Sequence, residues 1–202
     1  MIDAQRFARI VTDAVVRRPF LWHVFRRPLQ RQFDRLAPTW ETRIGPHHLW
    51  ALDLALEDVV SPVRILDLGT GTGVVAQALA GRYPEAEIVG IDLSPAMIEE
   101  ARQKLPPELA TRVDFQVGDA AALVSSAGEF DLVVLMNMIP FFDELARITA
   151  HGGRLVFSFS RGDETPIYVP TERLREELAS RGFAEFAEFS APPATAFRAK
   201  KG

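Results

Sequence analysis

The sequence contains no cysteine. Disulfides, thiolate zinc sites, iron–sulfur clusters and a cysteine nucleophile are therefore excluded, and a reducing compartment, the cytoplasm, is the expectation. Long apolar runs are missing too. No stretch reaches the roughly 18 residues that a membrane span requires, and residues 1–6 lack the basic-then-apolar layout of a signal peptide. A soluble protein is expected. Acidic residues are sparse at the front of the chain. Residues 1–45 hold nine arginines against four acids, a local charge of +5 that leaves −9 for the rest of a chain of net charge −4. Such a front end is either a solvated helix face or a surface for an anionic membrane or an acidic partner.

What is present fits one globular domain: 202 residues, 48% hydrophobic and 25% charged. From Phe7 the apolar residues Phe7, Ile10, Val11, Ala14 and Val15 recur at helical spacing opposite Arg6, Arg9, Asp13 and Arg17. A second helical pattern, Leu21 to Leu36, bends or breaks near Pro28, and a third begins after Gly45-Pro46. From Val63 short β-rich runs alternate with helical ones. The expected strands lie near 63–68, 87–92, 112–117, 130–136 and 153–160, and the expected helices near 73–82, 95–105, 119–125, 141–150 and 171–181. This alternation implies crossover units on a mostly parallel sheet. The last segment reads as a hairpin around Pro192-Pro193. The expected organisation is a helical cap, residues 1–60, over an α/β unit, residues 61–202.

The run ILDLGTGTGVVAQAL, residues 65–79, passes from a strand through Gly69, Thr70, Gly71 and Gly73 into a helix. Open α/β sheets bind ligands at such turns. The loop has no lysine, so it is not a nucleotide-triphosphate P-loop. It formally satisfies the dinucleotide pattern, with Asp92 at the distance of a ribose-binding acid. Asp67 separates the possibilities. A carboxylate there opposes a pyrophosphate, since two like charges at about 4 Å cost roughly 4 kcal/mol near a protein surface. The same carboxylate suits a cationic ligand, or it only organises the turn.

These residues resemble the first motif of the class I S-adenosylmethionine-dependent methyltransferases, and the resemblance continues in order to about residue 160. IVGIDLS, ending strand two, is similar to the second motif; VGDAAAL is similar to the third; FDLVVLMN and ELARITAHGGRLVFSF resemble the fourth strand and the helix, turn and fifth strand after it. The resemblance implies a Rossmann-like seven-stranded sheet ending in a hairpin, with S-adenosylmethionine as cofactor and no metal. It gives Asp92 the ribose hydroxyls, Leu93 and Met97 the walls around adenine, Asp119 and the Ala120 amide the adenine edge, and Asn137 the reactive end. Asp119 is also read as a helix N-cap. Residues 137–141, Asn-Met-Ile-Pro-Phe, depart from the Asp/Asn-Pro-Pro-aromatic motif of amino-methylating families, so adenine or glutamine methylation is not supported. Residues 32–55 are similar to the entry segment of the ubiquinone and menaquinone biosynthesis methyltransferases, with Trp40 in the place of an aromatic that closes over the cofactor and Glu41 for its Asp.

The leading reading is a methyltransferase for a small, apolar or aromatic acceptor, without nucleic-acid partners. Methyl transfer from a sulfonium is chiefly a matter of positioning and water exclusion. His47, His48, Glu164 and Tyr168 are candidate bases for an acidic acceptor such as a phenol or enol, each with an ordinary alternative as a capping, exposed or loop residue. A non-catalytic cofactor-binding sensor and an NAD-dependent oxidoreductase are the competing functions. The oligomeric state is open.

Overall fold

The computed structural model describes residues 4–45 and 47–202. Three helices come first: α1 (Ala4–Arg17), α2 (Trp22–Leu36) and α3 (Trp50–Ala55). The α/β region then runs β1 (Arg64–Leu68), α4 (Val74–Arg82), β2 (Glu87–Asp92), α5 (Pro95–Lys104), β3 (Val113–Val117), β4 (Phe130–Met136), α6 (Phe142–Ile148), β5 (Thr149–Phe159), α7 (Thr171–Ala179), β6 (Phe183–Ala191) and β7 (Ala194–Lys201).

The seven strands form one sheet in the order β3-β2-β1-β4-β5-β7-β6. The first five are parallel, and β7 runs antiparallel between β5 and β6. Successive residues of the central strands point to opposite faces, and both faces are covered. Leu66, Leu68, Val133, Leu135, Leu155 and Phe157 pack with Val11 and Val15 of α1, Leu29 of α2, Leu145 of α6 and Leu174 of α7. Ile65, Leu132, Val134 and Val156 pack on the other side with Leu52 of α3, Leu79 of α4 and Ile98 of α5. The order reverses between β1 and β4, so the carboxyl ends of these strands open a crevice where open α/β sheets bind ligands.

Four local expectations are corrected. No helix forms at 119–125, where a single turn closes with the Ala122 N–H donating to the Asp119 carbonyl at 2.9 Å. The helix expected over 141–150 stops at Ile148, and β5 begins at Thr149 instead of 153, with a register irregularity between Phe130 and Leu132 of β4. The third helix is short and starts at Trp50 after a turn at 47–49; Pro46, read as its first residue, lies outside the described residues. Finally, of the bend or break expected near Pro28, the break does not occur, since α2 continues through it. That proline is exposed, on the helix side facing away from the core.

Candidate functional site

The turn after β1 explains the glycines. Gly69, Gly71 and Gly73 all have positive φ, and at Gly71 (φ 54°) an added Cβ would stand 3.4 Å from the indole nitrogen of Trp40. That distance is ordinary contact, so it is the left-handed backbone that favours glycine here. The loop lies beside the end of β2: the Gly71 N–H donates to Asp92 Oδ2 at 2.9 Å, and the Ser94 N–H donates to Asp92 Oδ1 at 2.8 Å. Ser94 Oγ accepts from the Met97 N–H and so caps α5, and donates to Asp34 of α2 at 2.6 Å. Burial pushes the Asp92 carboxyl above its ordinary range, against the pull of those N–H groups.

Asp67 is 1% exposed and sits behind the loop, outside the lining of the cavity. Its Oδ2 accepts from Thr70 Oγ1 at 2.5 Å, while Oδ1 has no partner. Desolvation raises its pKa to about 7, with the Thr70 hydroxyl and the Ala76 N–H working in the opposite direction. Asp67 thus organises the turn, the alternative reading of its carboxylate.

Above the loop lies a cavity of about 580 Å³ with a mainly apolar lining. This volume lies within the range of small-molecule sites. Gly69, Thr70, Gly71, Asp92, Leu93, Met97, Ala120, Asn137 and Trp40 all line it, as do His47 and His48; Gly73, at the start of α4, packs instead beside Phe115. Trp40 meets Phe33 edge-on at 5.8 Å. Burial lowers the pKa of His48, which keeps its imidazole neutral at pH 7. His47 stacks at a tilt on Trp50, 3.9 Å between ring centroids, and its Nδ1 is buried without a partner.

The structure places other candidates differently. Asp119 does not cap a helix. Its Oδ1 accepts from the Trp22 indole N–H at 2.7 Å and from the Ala121 N–H at 3.0 Å, and its Oδ2 faces Arg26 at 3.4 Å. Neighbouring Gly118 and Ala120, rather than Asp119, reach the cavity. Asn137 (φ 51°) uses its side chain to join two strand ends: Nδ2 donates to Ser160 Oγ at 3.0 Å and Oδ1 accepts from the Ser160 N–H at 2.9 Å. Glu164 and Tyr168 lie in a separate open groove with Asp163 and Thr195, while Thr165, Pro166 and Ile167 between them face the cavity.

Sequence reasoning missed Trp22, Asp34 and Thr72. The first two tie α2 to the loops of the sheet, across 97 and 60 residues of chain, and nothing in their local spacing signals a distant partner. Thr72 lines the cavity with a buried, unpartnered hydroxyl; its place inside the glycine loop was the available signal.

A ligand with an adenosine diol fits these groups. The residues present are an acid at the end of β2, an orphaned Thr72 hydroxyl, glycines at 69 and 71 that leave backbone open to the cavity, and apolar walls from Leu93 and Met97. No group of three or more histidines and acids able to hold a metal occurs among the described residues.

Comparison with known proteins agrees with this arrangement. Residues 65–154 match a family model described as a methyltransferase domain. The chain is 45% identical over 139 residues to a demethylmenaquinone methyltransferase of Thermus thermophilus, covering 61% of this chain and 62% of the relative. It is 33% identical over 147 residues to a magnesium-protoporphyrin O-methyltransferase of Rhodobacter capsulatus, covering 67% and 64%. The chain thus spans somewhat under two thirds of the length of these relatives. Among solved structures, a putative methyltransferase of Haloferax volcanii in complex with the activator Trm112 superimposes with a TM-score of 0.69 at 18% identity, covering 83% of this chain and 96% of that one. The [4+2]-cyclase SpnF does so with a TM-score of 0.69 at 19% identity, covering 86% and 94%. Residues 65–154 thus match a methyltransferase domain, and the seven-stranded sheet with its C-terminal hairpin is that of the Rossmann-like methyltransferase fold.

Proposed function

We propose that the protein is an S-adenosylmethionine-dependent methyltransferase acting on a small, apolar or aromatic molecule. The observation that carries this reading is the cavity itself: the glycine loop and Asp92 form one wall, Trp40 covers Gly71, and the remaining lining includes Leu29, Phe33, Met138, Ile139 and Phe141. Bound there, S-adenosylmethionine supplies a methyl group already activated by its sulfonium. Asp92 holds the ribose diol, and Leu93 and Met97 flank the adenine. Trp40 and the helices beside it exclude water, and the apolar walls orient an acceptor of matching character. His48, kept neutral by burial, accepts the proton of a phenolic or enolic acceptor. The relatives named for quinone and porphyrin methylation support a flat, largely apolar acceptor class.

Thermal-shift titration with S-adenosylmethionine, S-adenosylhomocysteine, NAD and NADH tests the cofactor. At 100 times its dissociation constant a ligand stabilises by about 2.7 kcal/mol, a shift of several degrees. The two adenosyl sulfur compounds are expected to raise the midpoint and Asp92→Ala to abolish the effect; a shift by NAD alone would replace this reading with that of an oxidoreductase. Methyl transfer to any quinol or phenol then separates an enzyme from a cofactor-binding sensor.

A further inference from the structure

We infer that the outward face of α1 and α2 is a docking surface for an anionic lipid bilayer. Residues 14–33 contain five arginines and no acid or lysine. On α2, Val24, Arg27, Arg31 and Arg35 recur at helical spacing and are exposed. At the corner where α1 meets α2, Arg17 and Arg18 are exposed beside Phe20. Phe20 is 66% exposed and Val24 54%, although the opposite sides of the same two helices bury Val11, Val15 and Leu29 in the core.

Two features distinguish this surface from an ordinary solvated face. First, its arginines are unspent. Arg17, Arg18, Arg27, Arg31 and Arg35 have no side-chain hydrogen bond, ion pair or ring contact among the described residues, whereas Arg9 and Arg26 bond the loop after β5 and Asp119. Secondly, apolar side chains stand within the cationic field. A phenylalanine two residues from an arginine pair and a valine one turn before another arginine suit a boundary where apolar groups enter the acyl region and guanidinium groups meet lipid phosphates. A nucleic acid would match the charge and leave Phe20 and Val24 without an apolar partner.

The surface also has a consequence for the cavity, which rests on the proposed function above. Ala8, Trp22, Leu29 and Phe33 of the same helices line the cavity from inside. An enzyme held by this face works next to the phase in which an apolar acceptor dissolves.

Co-sedimentation with vesicles tests the surface without reference to the cofactor. The intact protein is expected to sediment with phosphatidylglycerol–phosphatidylcholine vesicles at low salt, to remain in solution with pure phosphatidylcholine vesicles, and to be released from the anionic ones at high salt. Removing charge in Arg27→Gln and Arg31→Gln should weaken partitioning by about fivefold each. The double variant Phe20→Glu, Val24→Glu should weaken it further, with an unchanged thermal midpoint because both side chains are exposed. No sedimentation of the wild type with anionic vesicles, unchanged sedimentation of the Phe20/Val24 variant, or equally tight binding to a single-stranded oligonucleotide would each overturn the proposal. Vesicle binding without a thermal shift by S-adenosylmethionine would leave this surface standing and remove the proposed enzyme function.

Discussion

The indole N–H of Trp22 donates to Asp119 Oδ1 at 2.7 Å, joining the first turn of α2 to the loop after β3. Trp22 also meets Phe141, which lines the same cavity, edge-on at 5.1 Å. One side chain thus fastens the N-terminal helices to two loops of the sheet. Trp22→Phe keeps most of the packing and deletes the hydrogen bond. A bond to a charged acceptor contributes about 1.5–3 kcal/mol, with the lower figure fitting this half-buried site. Urea unfolding is expected to show a loss of that size, and amide exchange in α2 should quicken more than in β4. Uniform exchange changes across the chain would contradict the fastening role.

Asn137 offers a test with three variants. Its φ of 51° lies where side chains other than asparagine and aspartate are strained, and its amide makes two bonds to Ser160. Asn137→Gly removes the bonds and keeps the backbone at ease; Asn137→Ala removes the bonds and adds the strain. Losses of roughly 1–2 kcal/mol for glycine and about 1 kcal/mol more for alanine are expected from denaturant midpoints. Equal losses would show that the backbone there is not strained.

Asp67 makes stability depend on pH in an unusual direction. Its folded pKa of about 7 lies above the ordinary carboxyl value of 3.8. Between these values the folded chain holds a proton that the unfolded chain releases, so stability falls as pH rises from about 4 to about 7 and levels off above. The full effect is on the order of 4 kcal/mol. Asp92, raised by the same burial, acts in the same sense. In Asp67→Asn the decline between pH 5 and 7.5 should be much reduced, as read from urea midpoints against pH. Parallel curves for wild type and variant would refute the assignment.

Gly71 and Trp40 are expected to act as a pair. The backbone at residue 71 is left-handed, a conformation that costs alanine about 1–2 kcal/mol, and the added methyl group would touch the indole of Trp40 at 3.4 Å. Gly71→Ala should weaken S-adenosylmethionine binding at least tenfold by calorimetry. Trp40→Phe should weaken it less, while removing most of the ligand-dependent change in tryptophan fluorescence. A variant Gly71→Ala with wild-type affinity would place the cofactor elsewhere.

The elements legible in the sequence were those specified by neighbouring residues. The strands β1, β2 and β4, the helices α4 and α5 and the glycine loop each follow from apolar period, capping and turn chemistry within a dozen residues, and their bounds lie within one residue or so of expectation. Two of the differences trace to a partner far along the chain. The segment at 119–125 has the acid and apolar residues of a helix start, yet the carboxylate is held by Trp22 and Arg26. Glu164 and Tyr168 follow β5 as expected, but Arg9 of α1 bonds the Thr165 carbonyl at 2.8 Å between them, and Tyr168 packs edge-on against Phe159 at 4.9 Å. Asp67 was legible as an acid at the right place; its seclusion behind the loop was not, because seclusion depends on how the turn folds over it.

The helices that line the cavity, α1 and α2, stand before every strand of the described chain, since α2 ends at Leu36 and β1 begins at Arg64. A ribosome therefore delivers the roof before the floor. At about 5–20 residues per second, Val11, Val15 and Leu29 wait on the order of ten seconds for Phe141 and the strands they will cover. For that interval the nascent chain displays an apolar stripe whose partners in the sheet have not yet been made.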